Sequence, residues 1–223
     1  MQYVRERTRC KNRLHATFSK YGYEGGEYSD LFGKKGRQKI SVLLLDLPVN
    51  TAEIAMGMVN HLDHLDRCIA GCEESMQREF GEDPALTRLM SMPGGVGFVL
   101  GTVILNEIGD IQRFPSSTQF ASYCGTTPRV KASGGKVRYG RLRNDCNHYL
   151  KWAFVEAANI ICMKQNAWKA RHSVTLYRRI KSKRGHQVAI GAVARHLAEA
   201  AYWMMKKKEP YKDPALSVVS RQN

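Results

Sequence analysis

The sequence predicts a mainly α-helical protein in which a coiled-coil arm precedes a helical domain. Three observations lead to this fold class. Apolar side chains in residues 51–80 recur at alternating spacings of three and four, which is the heptad pattern of a coiled coil. Residues 98–108 form an apolar run of helical length, and residues 188–205 carry an alanine-rich packing face. The glycine-rich stretch that follows residue 133 predicts a short hairpin within this domain.

We expect the chain to divide into four segments. Residues 1–48 would form a basic helix and a connector, and residues 49–82 would form the coiled-coil helix. The helical domain would occupy residues 83–206, because Gly and Pro near residue 84 break the long helix before it. The remaining residues, 207–223, would form a basic tail that frays.

The first segment predicts one helix over residues 1–20, with a sparse apolar stripe made of Val4, Thr8, Leu14 and Phe18. A helix this polar is marginal alone, so we expect it to pack on another element. Residues 21–35 predict a loop, and residues 40–47 fit either a strand or a short buried helix. Asp46 precedes Pro48 at the expected end of that element, and a single carboxylate cannot hold a two-metal site.

The long helix also carries a stripe of soft metal-ligand types, namely His61, His64, Cys68 and Cys72. A straight helix spreads these four side chains over about 16 Å, so a tetrahedral site cannot use all of them. We interpret the stripe as positions that flank the coiled-coil seam, and we predict no metal site in this chain.

Residues 93–97 resemble the glycine turn of a helix-hairpin-helix module. Such a turn points backbone N–H groups and a helix N-terminus at a DNA phosphate, which makes Gly95 and Gly97 candidate nucleic-acid contacts. The alternative is an ordinary connection between two helices, because Pro93 lies one residue earlier than the module requires.

The charge of the chain predicts a polyanionic partner. With 35 Lys and Arg against 20 Asp and Glu, the net charge is +15, which is typical of nucleic-acid-binding proteins. A membrane partner is disfavoured, because the basic residues form no amphipathic helix beside a lipidation signal. The six cysteines form no CxxC pair and indicate reduced thiols, so we expect a cytoplasmic, nucleoid-associated protein.

The interval from residue 157 to residue 198 contains no acidic residue. It holds nine Lys and Arg, more than a solvated face needs, and this favours a surface that follows phosphates. The candidate contacts within it are Arg178, Arg179, Lys183 and Arg184.

The stretch with the clearest chemistry is the glycine turn of Ser133, Gly134 and Gly135. Cations surround this serine in the sequence, namely Arg129, Lys131, Lys136, Arg138, Arg141 and Arg143. A hydroxyl held against a phosphodiester by cations can act as a nucleophile, because the cations stabilise the charge that develops on the phosphoryl oxygens. The alternative is a basic surface hairpin whose serine only caps the turn.

This stretch and its flanks resemble the C-terminal domain of the IS116/IS110/IS902 family of insertion-sequence transposases. The similar segments are residues 107–114, 121–128, 133–136, 140–143, 147, 150–152 and 155–158, and residues 7–13 resemble the helix that leaves the family's N-terminal domain. In that family the serine of the Ser-Gly-Gly turn attacks DNA, which implies that Ser133 is the nucleophile. The matching Asn147 and Lys151 are candidate nucleic-acid contacts.

The resemblance also implies partners and a metal. The family's N-terminal RuvC-like domain holds a divalent metal, expected to be Mg²⁺, on four acidic residues, and this sequence begins after that domain. The resemblance further implies DNA, a structured guide RNA and a homo-oligomer formed through the coiled coil. We therefore expect a transposase domain at residues 83–206 that is inactive alone.

Two observations keep other interpretations open. A non-catalytic DNA- or RNA-binding remnant of a transposase would fit the missing acidic domain. In addition, Cys146 stands where the family has a glycine before Asn147, which predicts an altered turn.

Overall fold

A computed structural model describes residues 1–26 and 30–214 of the chain, and it is mainly α-helical, as predicted. The helices of the described part are α1 (Gln2–Lys20), α2 (Lys34–Leu45), α3 (Val49–Phe80), α4 (Pro84–Met90), α5 (Phe98–Ile108), α6 (Ser117–Tyr123), α7 (His148–Met163), α8 (His172–Arg184) and α9 (His186–Lys207). A 3-10 turn lies at Ile111–Arg113, and strands β1 (Pro128–Ser133) and β2 (Lys136–Leu142) form an antiparallel hairpin. Residues 215–223 of the predicted basic tail, and residues 27–29 of the predicted loop, lie outside the described residues.

The chain forms two compact units, Met1–Arg78 and Glu79–Asn223. Within the described residues, no helix combines the length and apolar character needed to cross a bilayer.

In the first unit, α1 packs against its neighbours in a small apolar core. This core contains Leu14, Phe18, Ile40, Ala55 and Leu62. The Cys10 thiol donates a hydrogen bond to the Met58 carbonyl at 3.2 Å, and Arg7 pairs with Asp66 at 3.2 Å. The prediction that the first helix packs on another element is therefore confirmed, and residues 40–45 are helical. The α2 helix ends at Leu45, before Pro48.

The predicted seam of α3 differs between its two halves. Ala55, Leu62 and Leu65 are buried, whereas Ile69 is half-buried and Cys72 is exposed. The intrachain core therefore covers the first half of the seam.

No group of three or more His, Cys, Asp or Glu in the described residues is arranged to hold a metal ion.

In the second unit, α9 is the central helix. Its predicted alanine-rich face is buried at Ala194, Ala198 and Ala201, where α4, α6, α7 and α8 pack around it. The Tyr202 hydroxyl donates a hydrogen bond to the Phe114 carbonyl at 3.2 Å, which fixes the loop before α6 on this helix. Small side chains on α9 allow several helices to approach it closely. In the N-terminal half of α9, Gly191 lies close to Leu142 of β2, so this helix also supports the hairpin.

The glycine turn between α4 and α5 packs against α7. Gly94 and Gly95 adopt φ values of 95° and 63°, which disfavour residues with a Cβ. A Cβ on Gly94 would lie only 2.6 Å from the Ala157 carbonyl oxygen, so this turn also needs glycine for close packing.

Candidate nucleic-acid interface

The hairpin reverses through a two-residue turn at Gly134 and Gly135. Their φ values of 54° and 73° are both positive, which is the requirement of a type I′ turn and suits glycine. Ser133 is the last residue of β1 and pairs with Lys136 across the turn. The serine hydroxyl therefore lies at the tip of an exposed hairpin.

The register gives the hairpin two chemically different faces. Successive strand residues point to opposite sides, and paired residues of an antiparallel ladder share a side. The pairs Lys131–Arg138 and Ser133–Lys136 define one face, which we call the cationic face. The pairs Val130–Tyr139 and Ala132–Val137 define the opposite, apolar face.

Ser133 shares the cationic face with Lys131, Lys136 and Arg138. These three cations form no salt bridge with the residues that the structure describes, so their charge is available to an anionic ligand. Phosphate oxygens fit such a face, because Arg offers several N–H donors and Lys a concentrated charge. The other predicted contacts of the hairpin, Arg129 and Arg141, lie nearer its base.

Arg143 and Lys151 stabilise the base of the hairpin through hydrogen bonds and an ion pair. The Arg143 side chain pairs with Asp145 and donates to the Ser122 hydroxyl at 3.3 Å. Its backbone carbonyl accepts a hydrogen bond from Lys151 Nζ at 2.6 Å. The Arg143 guanidinium holds the pKa of the exposed Asp145 carboxyl below its usual value. Both predicted contact residues thus also position the hairpin.

Asn147 caps α7 and links it to α5. Its Oδ1 accepts hydrogen bonds from the backbone N–H groups of Tyr149 and Leu150, at 3.0 and 2.9 Å. Its Nδ2 donates to Glu107 Oε2 at 2.6 Å. The hydrogen bond from Asn147 also contributes most to lowering the pKa of Tyr123. These contacts give Asn147 a structural role, and its contact with nucleic acid stays a prediction.

The expected alteration at Cys146 is accommodated by Gly125. A Cβ on Gly125 would lie 2.3 Å from the Cys146 sulfur, so the thiol occupies the space that this glycine leaves open. Among the described non-glycine residues, Lys208 alone has a positive φ, so residue 146 does not need the left-handed freedom of glycine.

The remaining predicted contacts lie on other elements of the second unit. Gly95 and Gly97 are exposed in the turn before α5. The predicted contacts on α8 are also exposed: Arg178, Arg179, Lys183 and Arg184. Arg178 donates to the Gln165 carbonyl at 3.2 Å and to Asn166 Oδ1 at 3.3 Å, so it also anchors the loop before α8.

A groove of about 810 Å³ lies between β2 and α9. Its lining includes Tyr139, Arg141, Lys151 and Arg195. Sequence reasoning did not select Tyr139 or Arg195 as site residues, because no motif marks them. The signal that could have found Tyr139 is its alternation with Arg138 in a strand that leads away from a glycine turn.

Residues 86–173 match the model of the transposase IS116/IS110/IS902 family. A probable family 20 transposase of Pseudomonas aeruginosa is 25% identical over 166 residues, which cover 71% of this chain and 47% of that protein. The putative transposase y4pF/y4sB of Sinorhizobium fredii is 26% identical, with 94% of this chain and 53% of that protein covered. The transposase for insertion sequence element IS1328 of Yersinia enterocolitica is 22% identical, with 89% and 58% covered. The chain spans about half the length of these curated relatives.

Proposed function

We propose that the chain acts in DNA transposition, on the premise that residues 86–173 match the transposase domain of the IS116/IS110/IS902 family. In this proposal the cationic face of the hairpin binds a DNA phosphate, and Ser133 supplies the attacking hydroxyl. The names of the three relatives, each of which includes the word transposase, support the same kind of activity.

One observation carries the proposal: Ser133 stands at the tip of the hairpin on the same face as Lys131, Lys136 and Arg138. A phosphate that contacts these cations would lie beside the serine Oγ. As the Oγ–P bond forms, the bond from phosphorus to one sugar oxygen breaks, and that oxygen takes up a proton from solvent. The serine proton passes to solvent, and the cut strand stays joined to Ser133. The nearby cations stabilise the charge on the phosphoryl oxygens.

We propose that Mg²⁺ takes part only when a RuvC-like domain, of the kind the family carries, is present to bind it. The described residues do not include the cluster of ligands that a metal ion requires.

We propose two further partners on the same basis. The exposed cations of α8, in the acid-free interval, suit the phosphates of a structured guide RNA.

The second half of the α3 seam, around the half-buried Ile69, suits a second copy of the chain. Ile69→Asp is expected to shift sedimentation toward the monomer, and an unchanged sedimentation profile would contradict self-association through this seam.

A non-catalytic binding role is the second candidate. The observation that favours it is that the Ser133 side chain is exposed and that, among the described residues, no side-chain base is hydrogen-bonded to its hydroxyl. A hydroxyl without such a base is a weak nucleophile unless another domain activates it.

A covalent-adduct assay separates the two candidates. The RuvC-like domain of an active relative is fused ahead of Met1, and labelled DNA ends and guide RNA of that relative are supplied. The transposase proposal predicts a protease-sensitive shifted band on a denaturing gel, lost in Ser133→Ala and kept in the control Ser182→Ala on α8. A band that survives Ser133→Ala refutes Ser133 as the nucleophile, and absence of any band from the unsubstituted fusion favours the binding role.

A further inference from the structure

We propose that the groove between β2 and α9 binds a single unpaired DNA nucleotide, with Tyr139 stacked on its base. The inference rests on the proposed DNA-binding function and identifies a separate subsite on the apolar face of the hairpin, opposite the cationic face. Four features of the groove support it: its shape, its exposed aromatic wall, its charge and its two amide side chains.

The groove is open because α9 has small residues where it faces the hairpin. Gly191 and Ala192 lie on its α9 side, and a Cβ on Gly191 would lie 3.5 Å from a methyl group of Leu142. A longer side chain at position 191 would therefore enter the groove. The volume of about 810 Å³ lies within the range of small-ligand sites, roughly 300 to 1,000 Å³, and suits a mononucleotide.

Tyr139 provides an aromatic wall. Its side chain is 61% exposed although it belongs to a strand, and its neighbours on the apolar face, Val130 and Val137, are 57% and 54% exposed. Exposed aromatic rings next to cations are the usual platforms for unpaired bases, since every base has a π-face. A base stacked on Tyr139 would remove this apolar surface from water.

The charge of the groove selects an anion. Arg141, Lys151 and Arg195 line it, and none of the described lining residues is acidic. Lys151 is held in place through Nζ by the Arg143 carbonyl. Arg195 donates to Glu199 through Nε at 2.8 Å, and its guanidinium has further N–H donors that can reach a phosphate.

Two amide side chains suit the edges of a base. Asn144 and Gln187 line the same groove, and each can both donate and accept hydrogen bonds. The groove therefore contains a group for each part of a nucleotide. Tyr139 can stack on the face of the base, the cations can contact the phosphate, and the two amides can bond to the edge of the base. The groove begins on the hairpin that carries Ser133, the proposed DNA-attacking residue, which is why we assign the nucleotide to DNA.

The test uses the 223-residue chain and three DNA duplexes of equal length. One duplex has a single bulged 2-aminopurine nucleotide, the second has an abasic bulge at that position, and the third is fully paired. We expect about tenfold tighter binding of the bulged base than of the abasic bulge, together with quenched 2-aminopurine fluorescence.

The variants identify the groove. Tyr139→Ala and Gly191→Leu should each remove the tenfold preference, whereas Tyr139→Phe should retain it. The control Tyr149→Ala changes a tyrosine that is 47% exposed on α7 and should also retain the preference. Circular dichroism confirms that each variant is folded before it is compared.

The outcomes separate this inference from the proposed function. If none of the duplexes binds, the proposed DNA-binding function fails. If the duplexes bind but the bulged base has no advantage, or if Tyr139→Ala retains the advantage, the subsite alone is refuted. Tenfold tighter binding of an RNA duplex with the same unpaired base would overturn the assignment to DNA.

Discussion

The Asn147 side chain donates a hydrogen bond to the Glu107 carboxylate at 2.6 Å and so joins the start of α7 to α5 over 40 positions of sequence. The same side chain accepts from two backbone N–H groups of α7. One residue therefore satisfies a helix N-terminus and fixes the elements that support the hairpin base.

This relationship predicts a stability loss on substitution at residue 147. Asn147→Ala should lower the free energy of unfolding by about 1–3 kcal/mol, because it removes a cap and a hydrogen bond to a charged group. Urea unfolding measures the change, and Asn144→Ala, at an exposed position close by, is the control. Equal effects of the two substitutions would mean that the cap contributes nothing specific.

Gly125 and Cys146 should show strong coupling. Gly125→Ala is expected to cost about 1–3 kcal/mol, because φ at this glycine is +65° and the added Cβ meets the Cys146 sulfur. Cys146→Gly should recover part of that loss by removing the clash, and the strain of the positive φ should remain. A double-mutant cycle with additive effects would contradict the packing of the thiol over Gly125.

The residues that define the fold were predictable to different extents. Helix α5 has the predicted bounds, since its apolar run is flanked by Gly97 and Gly109, which end helices. Residues 40–47 were ambiguous, because a short apolar run has no period that separates strand from buried helix. The structure resolves this through packing, because Ile40 joins the core that contains Leu14.

The faces of the hairpin could not be predicted from sequence. The glycine pair indicated a turn, but which residues share the side of Ser133 depends on the register and on the irregularity between Pro128 and Val130. The groove beside Tyr139 depends on α9, which is distant in sequence. The motif therefore identified the serine and its cations, and only the tertiary structure showed the groove.

His196 should make stability sensitive to mild acid. Burial lowers the pKa of His196 below its usual 6.5, and His172 adds to this, whereas Glu199 and Asp213 oppose it. The unfolded chain then binds the proton more readily, so the stabilisation is complete above pH 6.5 and is lost as the pH falls toward the folded-state pKa.

This dependence is tested by measuring urea unfolding at several pH values from about 7 to about 5, a range that includes the ordinary histidine pKa. We expect a weaker pH dependence in His196→Gln than in the unsubstituted chain. The exposed His148 serves as the control, since His148→Gln should leave the dependence unchanged. If the free energy of unfolding changed equally with pH in all three proteins, His196 would not be the source of the pH dependence.

The cationic face should determine how DNA affinity depends on salt. Replacing Lys131, Lys136 and Arg138 by Ala should make the slope of log K against log salt shallower by up to about 0.9 for each phosphate contact removed. The control replaces Arg9, Lys34 and Lys35, which are exposed cations of the first unit, for an equal change in charge. An equal change of slope in both variants would show that the hairpin has no special share in binding.

The most direct test of the account locates the covalent bond within the protein. The adduct formed by the fusion protein is digested with nuclease and trypsin, and the peptides are analysed by mass spectrometry. Cleavage after Lys131 and Lys136 isolates residues 132–136, a peptide in which Ser133 is the one hydroxyl residue. The account predicts the nucleotide mass on that peptide. A nucleotide mass on residues 114–129 instead, which contain Ser116, Ser117, Thr126 and Thr127, would contradict it.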